Sequence, residues 1–174
     1  MLNGRTICLR NIDIKKIFEL IDKYDVTHFG GAPIVLNMIT GAPEADRKKL
    51  KNKVYVLTAG APPPSIIFKK MKSLGFEVMH VYGLTETYGH VTQCVWREEW
   101  EDLPFSEQAE LQSWQGVTFP MNEDVAVIDT ETGQIVPRDG VSQGEVVIRG
   151  NTVMKGYYKN KEANREAMRD GWFY

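Results

Sequence analysis

The sequence predicts an α/β fold: a mostly parallel sheet flanked by helices, followed by a smaller antiparallel β-subdomain. Three observations predict it. Over the first ninety residues, short β-like apolar runs alternate with stretches whose apolar positions recur at helical spacing. The run KVYVLTAG, beginning at Lys53, is a strong strand, a continuous apolar run of the kind a two-sided sheet buries. From Gln115 the pattern becomes short strands punctuated by Gly133, Gly140, Gly144 and Gly150. The expected division is an α/β part over residues 1–114 and a β-rich part over residues 115–174.

Each element has its own justification. RTICLR (residues 5–10) reads as a short strand. DIKKIFELIDKY sets Ile14, Ile17, Phe18 and Ile21 on one stripe, with Asp13 placed to cap the helix. VTHF is a second strand and GGAP a turn. IVLNMI continues as a short buried helix after Pro33, which suits a first helical turn. After KVYVLTAG, Pro64 to Leu74 forms a helix closed by Gly75, and FEVMHVYG is the next strand. EEWEDLPFSEQAELQSW is an acidic connection with a short helix. EDVAVID, a hairpin-like TETGQIVPRDG, GEVVIRG and VMKGYY supply the later strands and turns. NKEANREAMRDG is a polar helix with Asn160 as its cap. The chain stops at GWFY without a polar tail, which reads as a cut rather than a natural end.

Composition narrows the function classes. The 174 residues are 43% hydrophobic, 25% charged and 10% aromatic, which is globular rather than disordered. A net charge of −2 offers no basic field, so nucleic-acid binding has no electrostatic support. The basic cluster Arg47, Lys48, Lys49, Lys51 and Lys53 reads as a solvated loop leading into a strand. Cys8 and Cys94 form no disulfide framework, and His28, His80 and His90 stand near no second ligand at a metal interval. MLNGRTICLR lacks the apolar core of a signal peptide, and no run approaches membrane-spanning length. A cytoplasmic protein is expected.

Ligands of a parallel sheet sit where strands end and loops begin. TAGAPPP follows VYVL, and YGLTET follows EVMHV. The first loop puts Gly60 and Ala61 where backbone can lie against a flat ring, with Pro62 to Pro64 stiffening the turn. The second offers Tyr82 as a stacking face, Gly83 for close approach, Thr85 as a donor to a phosphate oxygen, and Glu86 as a ligand for a divalent cation. Magnesium takes one or two carboxylates plus substrate phosphates, so a single Glu suffices. The pair of loops suits a nucleoside phosphate. A second reading needs no ligand: the Gly-Leu-Thr turn caps a helix with Glu86 beside its positive end, Tyr82 is core, and Gly60 to Pro64 is a plain turn.

YGLTETYG closely resembles the signature of the adenylate-forming superfamily, which holds acyl-CoA synthetases, luciferases and peptide-synthetase adenylation domains. TAGAPPP is similar to that family's adenine-contacting loop, GEVVIRGNTVMKGYY to its downstream glycine-rich element, and DGWFY to the start of its T-G-D segment. THFGGAP sits where the family has a strand-to-helix turn lining the acyl side. TYGHVTQCVWREEWEDLPFSEQAELQSWQG resembles one branch, the bacterial and plant ligases for fatty acids and methylmercaptopropionate. The resemblance implies an internal fragment of an acyl-CoA synthetase N-terminal domain. It places Gly60, Ala61 and Pro62 along the adenine, Tyr82 stacked on it, Thr85 on the α-phosphate and Glu86 on Mg²⁺. Gly83 and Leu84 would border the nucleotide–acyl junction, and His28, Gly30, Gly31, Gly89 and His90 are weaker acyl-site candidates. Cys94 reads as a core strand residue, since no base is arranged near it.

The implied reaction has two halves. A carboxylate attacks the α-phosphate of ATP to give acyl-adenylate and pyrophosphate, and coenzyme A then displaces AMP as a thioester. Thr85 and Glu86 would be the catalytic pair, working by positioning and charge neutralisation. The family's phosphate loop, the Asp of T-G-D and the C-terminal lid are expected outside this stretch, which leaves the fragment inactive by itself. The expected partner is a small carboxylic acid, with homo-oligomerisation open. Two alternatives stand beside this reading: an adenylation domain that loads a carrier protein, and a nucleotide-binding or interaction module without chemistry. No Asp stands in VTHFGGAPIVLNMI to receive an amino group, which favours a plain acid such as a medium-chain, branched short or methylmercaptopropionic one.

Overall fold

Helix α1 (Ile14–Tyr24) begins where the Asp13 carboxylate accepts the Lys16 backbone N–H at 2.9 Å, and stops where Asp25 turns left-handed at φ 49°. The computed structural model describes residues 4–174, so Met1 to Asn3 of the stretch read for a leader lie outside the described residues. Strand β1 (His28–Gly30) is followed by α2 (Pro33–Gly41), with Pro33 in its first turn as its fixed φ allows. Strand β2 (Val54–Thr58) leads into α3 (Ser65–Ser73), and Gly75, at φ 93°, turns the chain into β3 (Phe76–Leu84). Strand β4 (Gly89–Gln93) follows, then α4 (Phe105–Ser113) and the two-residue β5 (Val117–Thr118). The remainder is β6 (Asp124–Ile128), β7 (Glu145–Arg149), α5 (Lys161–Ala167), β8 (Met168–Arg169) and β9 (Trp172–Phe173).

Strands β1 to β5 form a five-stranded sheet in that order, and the last four form a separate sheet in the order β6-β7-β9-β8. The first sheet is parallel at β1/β2 and antiparallel at β3/β4 and β4/β5. The second is antiparallel at β6/β7, β7/β9 and β8/β9, with Asp124 opposite Arg149 and Ile128 opposite Glu145.

The chain packs as two compact units. The first runs to residue 79 and takes in residues 99–113; the second holds residues 80–98 and 114–174. Residues 80–98 thus pack with the later half of the chain, which composition alone does not reveal. The first unit is built on Phe18, Leu36, Ile39, Val54, Val56, Phe68, Met71 and Phe76, with Ala109 of α4 closing it. Phe76 meets Phe18 and Phe29 edge-on, at centroid distances of 6.0 and 5.9 Å. Two smaller clusters hold the second unit, one around Val91, Ile148 and Phe173, the other around Ala126, Ile128 and Val147.

Several sequence expectations are corrected here. RTICLR is not a strand; its backbone pairs with no strand among the described residues. β2 is not buried on both faces: Val54, Val56 and Thr58 are buried, while Tyr55 and Leu57 are 46% and 42% exposed, so its apolar run alternates. VMKGYY is not a strand either, for a reason given below. The lysines of the basic run are solvated as expected, with Lys48 and Lys51 paired to Asp22 and Lys53 to Glu77, whereas Arg47 is half-buried and donates to the Thr40 carbonyl at 3.0 Å. Asn160 caps α5 through the Ala163 N–H at 3.1 Å, as read. Cys94 is buried after β4, its thiol pushed up by that burial and only partly offset by Arg97.

Two outcomes follow for stability. Leu36 is fully buried, so Leu36→Ala leaves a cavity and costs about 2–5 kcal/mol in chemical denaturation, while Ile34→Ala, at a 60% exposed neighbour, changes it by roughly 0.5 kcal/mol or less. Asp139 accepts the Ser142 N–H and hydroxyl at 2.7 Å each and the Val141 N–H at 2.9 Å, which lowers its carboxyl to about 2. Because the folded value lies below the ordinary 3.8, the turn's stabilisation is complete above about 4 and is lost as pH falls toward 2. A carboxyl chemical-shift titration checks that window.

Candidate active site

Strands β3 and β4 pair with a one-residue shift: Tyr82 lies opposite Thr92, but Gly83 lies opposite His90. That is a β-bulge, which bends the strand and raises its local twist. At Gly83 the two backbones come so close that an added Cβ would overlap the Gly89 carbonyl oxygen and sit 2.5 Å from the His90 Cα. Only glycine fits there. Directly after it, Thr85–Thr87 form one turn of 3₁₀-helix, Tyr88 takes a left-handed φ of 55°, and Gly89 at φ 135° starts β4.

The turn is held from inside by Thr87, which is 1% exposed. Its hydroxyl accepts the Leu84 N–H at 3.0 Å and lies within donating distance of two carbonyl oxygens, Leu84 at 3.0 Å and Gly89 at 2.8 Å. Thr85 is thereby left exposed on the turn, and Glu86 half-buried beside it. Two bonds fix Glu86. Its carbonyl accepts the Met154 N–H at 2.7 Å, and its Oε1 accepts the Tyr157 hydroxyl at 3.0 Å. The Glu86 bond also raises the pKa of the Tyr157 phenol, since losing that proton would set two negative charges together. No α-helix begins at this turn, so the reading of Glu86 as a helix-capping acid is not met; the chain returns as β4.

Five of the residues proposed from sequence, Tyr82, Gly83, Leu84, Thr85 and Glu86, thus lie consecutively at one strand end. Tyr82 is half-buried and packs against the Val91, Ile148 and Phe173 cluster. Gly60, Ala61 and Pro62 belong to the first unit, exposed on the loop between β2 and α3, with Pro63 buried beneath them. Gly60 is left-handed, at φ 95°, with open space around its Cβ position. His28 stacks on Tyr55 at 5.0 Å with Nδ1 2.9 Å from the Thr27 hydroxyl, and Gly31 donates its N–H to the Leu57 carbonyl at 3.0 Å. His90 lies 4.1 Å from the Phe119 ring.

Three participants escaped sequence reasoning: Thr87, Met154 and Tyr157. Thr87 was the second hydroxyl of the quoted TET. Met154 and Tyr157 stand in VMKGYY, which reads from sequence as one of several short strands broken by turns. Their backbones are used elsewhere, which is why no strand forms: Met154 N–H goes to Glu86, and the Tyr157 N–H goes to the Asn164 side chain at 2.6 Å.

A family model described as AMP-binding enzyme matches residues 1–158. The chain belongs to the AMP-binding enzyme family. It is 52% identical to the peroxisomal acetate/butyrate–CoA ligase AAE7 of Arabidopsis thaliana, covering 100% of this chain and 31% of that protein. It is 50% identical to an acetate–CoA ligase of Humulus lupulus, covering 98% of this chain and 30% of that one. It is 49% identical to a 2-methylpropanoate–CoA ligase of the same plant, over 99% and 31%. This AMP-binding chain therefore spans about 31% of the length of the curated relatives it matches. Among solved structures, the N-terminal domain of FACL13 from Mycobacterium tuberculosis superposes with a TM-score of 0.74 at 30% identity, over 92% of this chain and 38% of that one. The luciferase-like enzyme of the mealworm Zophobas morio shares the fold, with a TM-score of 0.76 at 24% identity, over 94% and 37%. Among the described residues no helix is long and apolar enough to cross a membrane.

The bulge makes a sharp prediction for the AMP-binding enzyme. Gly83→Ala forces β3 and β4 apart and lowers the melting temperature of the full-length protein by several degrees, whereas Gly60→Ala, strained but uncrowded, costs only about 1 kcal/mol. Equal melting shifts for the two variants would contradict the close approach.

Proposed function

We propose that this chain is the central part of an AMP-forming acid–thiol ligase that activates a short aliphatic carboxylic acid as its adenylate and passes it to coenzyme A. The observation that carries the reading is the Thr85–Glu86 pair, exposed and half-buried on a turn that a glycine-only bulge and two bonds to Glu86 hold in place. The names of the relatives support the thioester product and the short acid: they are ligases of acetate, butyrate and 2-methylpropanoate.

In this proposal the substrate carboxylate attacks the α-phosphorus of ATP, the bond to pyrophosphate breaks, and the coenzyme A thiol then displaces AMP from the acyl carbon. Thr85 donates its hydroxyl to an α-phosphate oxygen. Gly60, Ala61 and Pro62 lie along the adenine and Tyr82 stacks on it, while Gly83 and Leu84 border the reacting carboxylate. His28, Gly30, Gly31, Gly89 and His90 take the acyl side. Among the described residues no three His, Cys, Asp or Glu cluster as a metal cage. A lone carboxylate suits a cation shared with phosphate oxygens and water, as Mg²⁺ is commonly held, so Glu86 would be its protein ligand. When bound, Mg²⁺ neutralises phosphate charge. Cys8 and Cys94 form no disulfide, which supports a reducing compartment such as the cytoplasm, and one relative is named as peroxisomal.

Glu86→Gln in the full-length enzyme tests the assignment. The glutamine oxygen can still accept the Tyr157 hydroxyl, so the melting temperature stays within a degree or two. Acid-dependent pyrophosphate release falls about a hundredfold or more, the scale of a lost transition-state charge contact. Release at the parent rate would refute the role of Glu86. Assaying thioester formation with free coenzyme A against a carrier protein tests the acceptor in the same enzyme.

A further inference from the structure

The second unit carries a chain of side chains behind Glu86 that the reaction does not account for. Tyr157 reaches Glu86 with its hydroxyl, 71 residues away in sequence. Its own backbone is gripped on both sides by one amide: the Tyr157 N–H donates to Asn164 Oδ1 at 2.6 Å, and Asn164 Nδ2 donates to the Tyr157 carbonyl at 3.0 Å. Asn164 stands on α5, whose first turn is capped by Asn160. Gly156, at φ 143°, gives the clamp its room, because a Cβ there would lie 2.8 Å from Asn164 Oδ1 and 3.0 Å from its Cγ. Met154, two residues before Gly156, holds the Glu86 backbone from the same segment. The segment thus fixes both the main chain and the carboxylate of Glu86, and gives up strand pairing to do so.

We propose that Tyr157 is a positioning residue for Glu86 and that Asn164 is what holds Tyr157 at its post. The proposal rests on the reading of Glu86 as the ligand of the nucleotide-bound divalent cation. A glutamate on an exposed turn samples many rotamers, and ordering it costs entropy that binding must otherwise cover. The Tyr157 hydroxyl occupies Oε1 and restricts the carboxylate beforehand, leaving Oε2 for the cation. Partners of this kind behind a metal ligand change metal affinity or activity by roughly 10–100-fold when removed.

Tyr157→Phe in the full-length enzyme removes the hydroxyl and keeps the ring. Four readouts are taken beside the parent and Glu86→Gln: half-saturating Mg²⁺ in pyrophosphate release, Mn²⁺ binding with a non-hydrolysable ATP analogue by electron paramagnetic resonance, metal-free AMP binding by calorimetry, and melting temperature. Tyr157→Phe is expected to raise the half-saturating concentrations of Mg²⁺ and Mn²⁺ about tenfold, with AMP binding and melting temperature unchanged. If Glu86→Gln shifts the metal dependence and Tyr157→Phe does not, the hydroxyl is a structural tether and the proposal is overturned. If neither variant shifts it, the metal reading of Glu86 fails as well, and the two failures are told apart.

Discussion

The architecture of the candidate site depends on the approach of β3 to β4 at Gly83, where no side chain fits between the two backbones. That contact sets the one-residue shift in pairing, and the shift throws the chain into a 3₁₀ turn instead of a flat hairpin. A flat hairpin would alternate Thr85 and Glu86 to opposite faces of the sheet. On the turn they stand next to each other at the strand's end. The buried Thr87 hydroxyl completes the arrangement by accepting the Leu84 N–H at the strand's end. A backbone constraint therefore comes first, and the placement of a hydroxyl beside a carboxylate follows from it.

Rigidity reaches that turn from a second direction. Met154 and Tyr157 belong to a segment that lies in no strand, yet the Met154 N–H is taken by the Glu86 carbonyl and the Tyr157 N–H and carbonyl by the Asn164 side chain. The polar helix α5 has no fully buried residue and meets the Val91, Ile148 and Phe173 cluster only through Ala167 at its end. Its use is visible in Asn164, which clamps Tyr157 and thereby steadies the carboxylate. The small α5 and the large first unit illustrate two sources of order: hydrogen-bond geometry in one, and burial of Phe18, Leu36, Phe68 and Phe76 in the other.

The fold was legible wherever periodicity and local chemistry agreed. The stripe of Ile14, Ile17, Phe18 and Ile21, the Asp13 and Asn160 caps, and the Gly75 stop each follow from a short stretch of sequence, and each is met. β4 was not legible, since GHVTQ owes its strand to a partner and not to its own composition. VMKGYY erred the other way: its apolar residues suggest a strand, but Asn164 and Glu86 claim its backbone. The contiguous half of the site, Tyr82 to Glu86, was legible because its residues are neighbours in sequence. Tyr157 was not, because a contact across 71 positions leaves no local trace.

The bland alternative for Glu86 can be weighed on what its charge does. An acid in the first turn of an α-helix spends its charge on the exposed N–H groups and positive end of that helix. Here the 3₁₀ turn ends after three residues and the chain re-enters a sheet, so no helix dipole accumulates to receive it. The Glu86 carboxylate accepts a hydrogen bond from a neutral phenol, which orders it without neutralising it. Among the described residues this ordered, half-buried carboxylate meets no cationic side chain, so its charge is left for another partner. The same arrangement is economical if a cation arrives with the nucleotide, and that is the physical ground for reading Glu86 as a ligand and not as a cap.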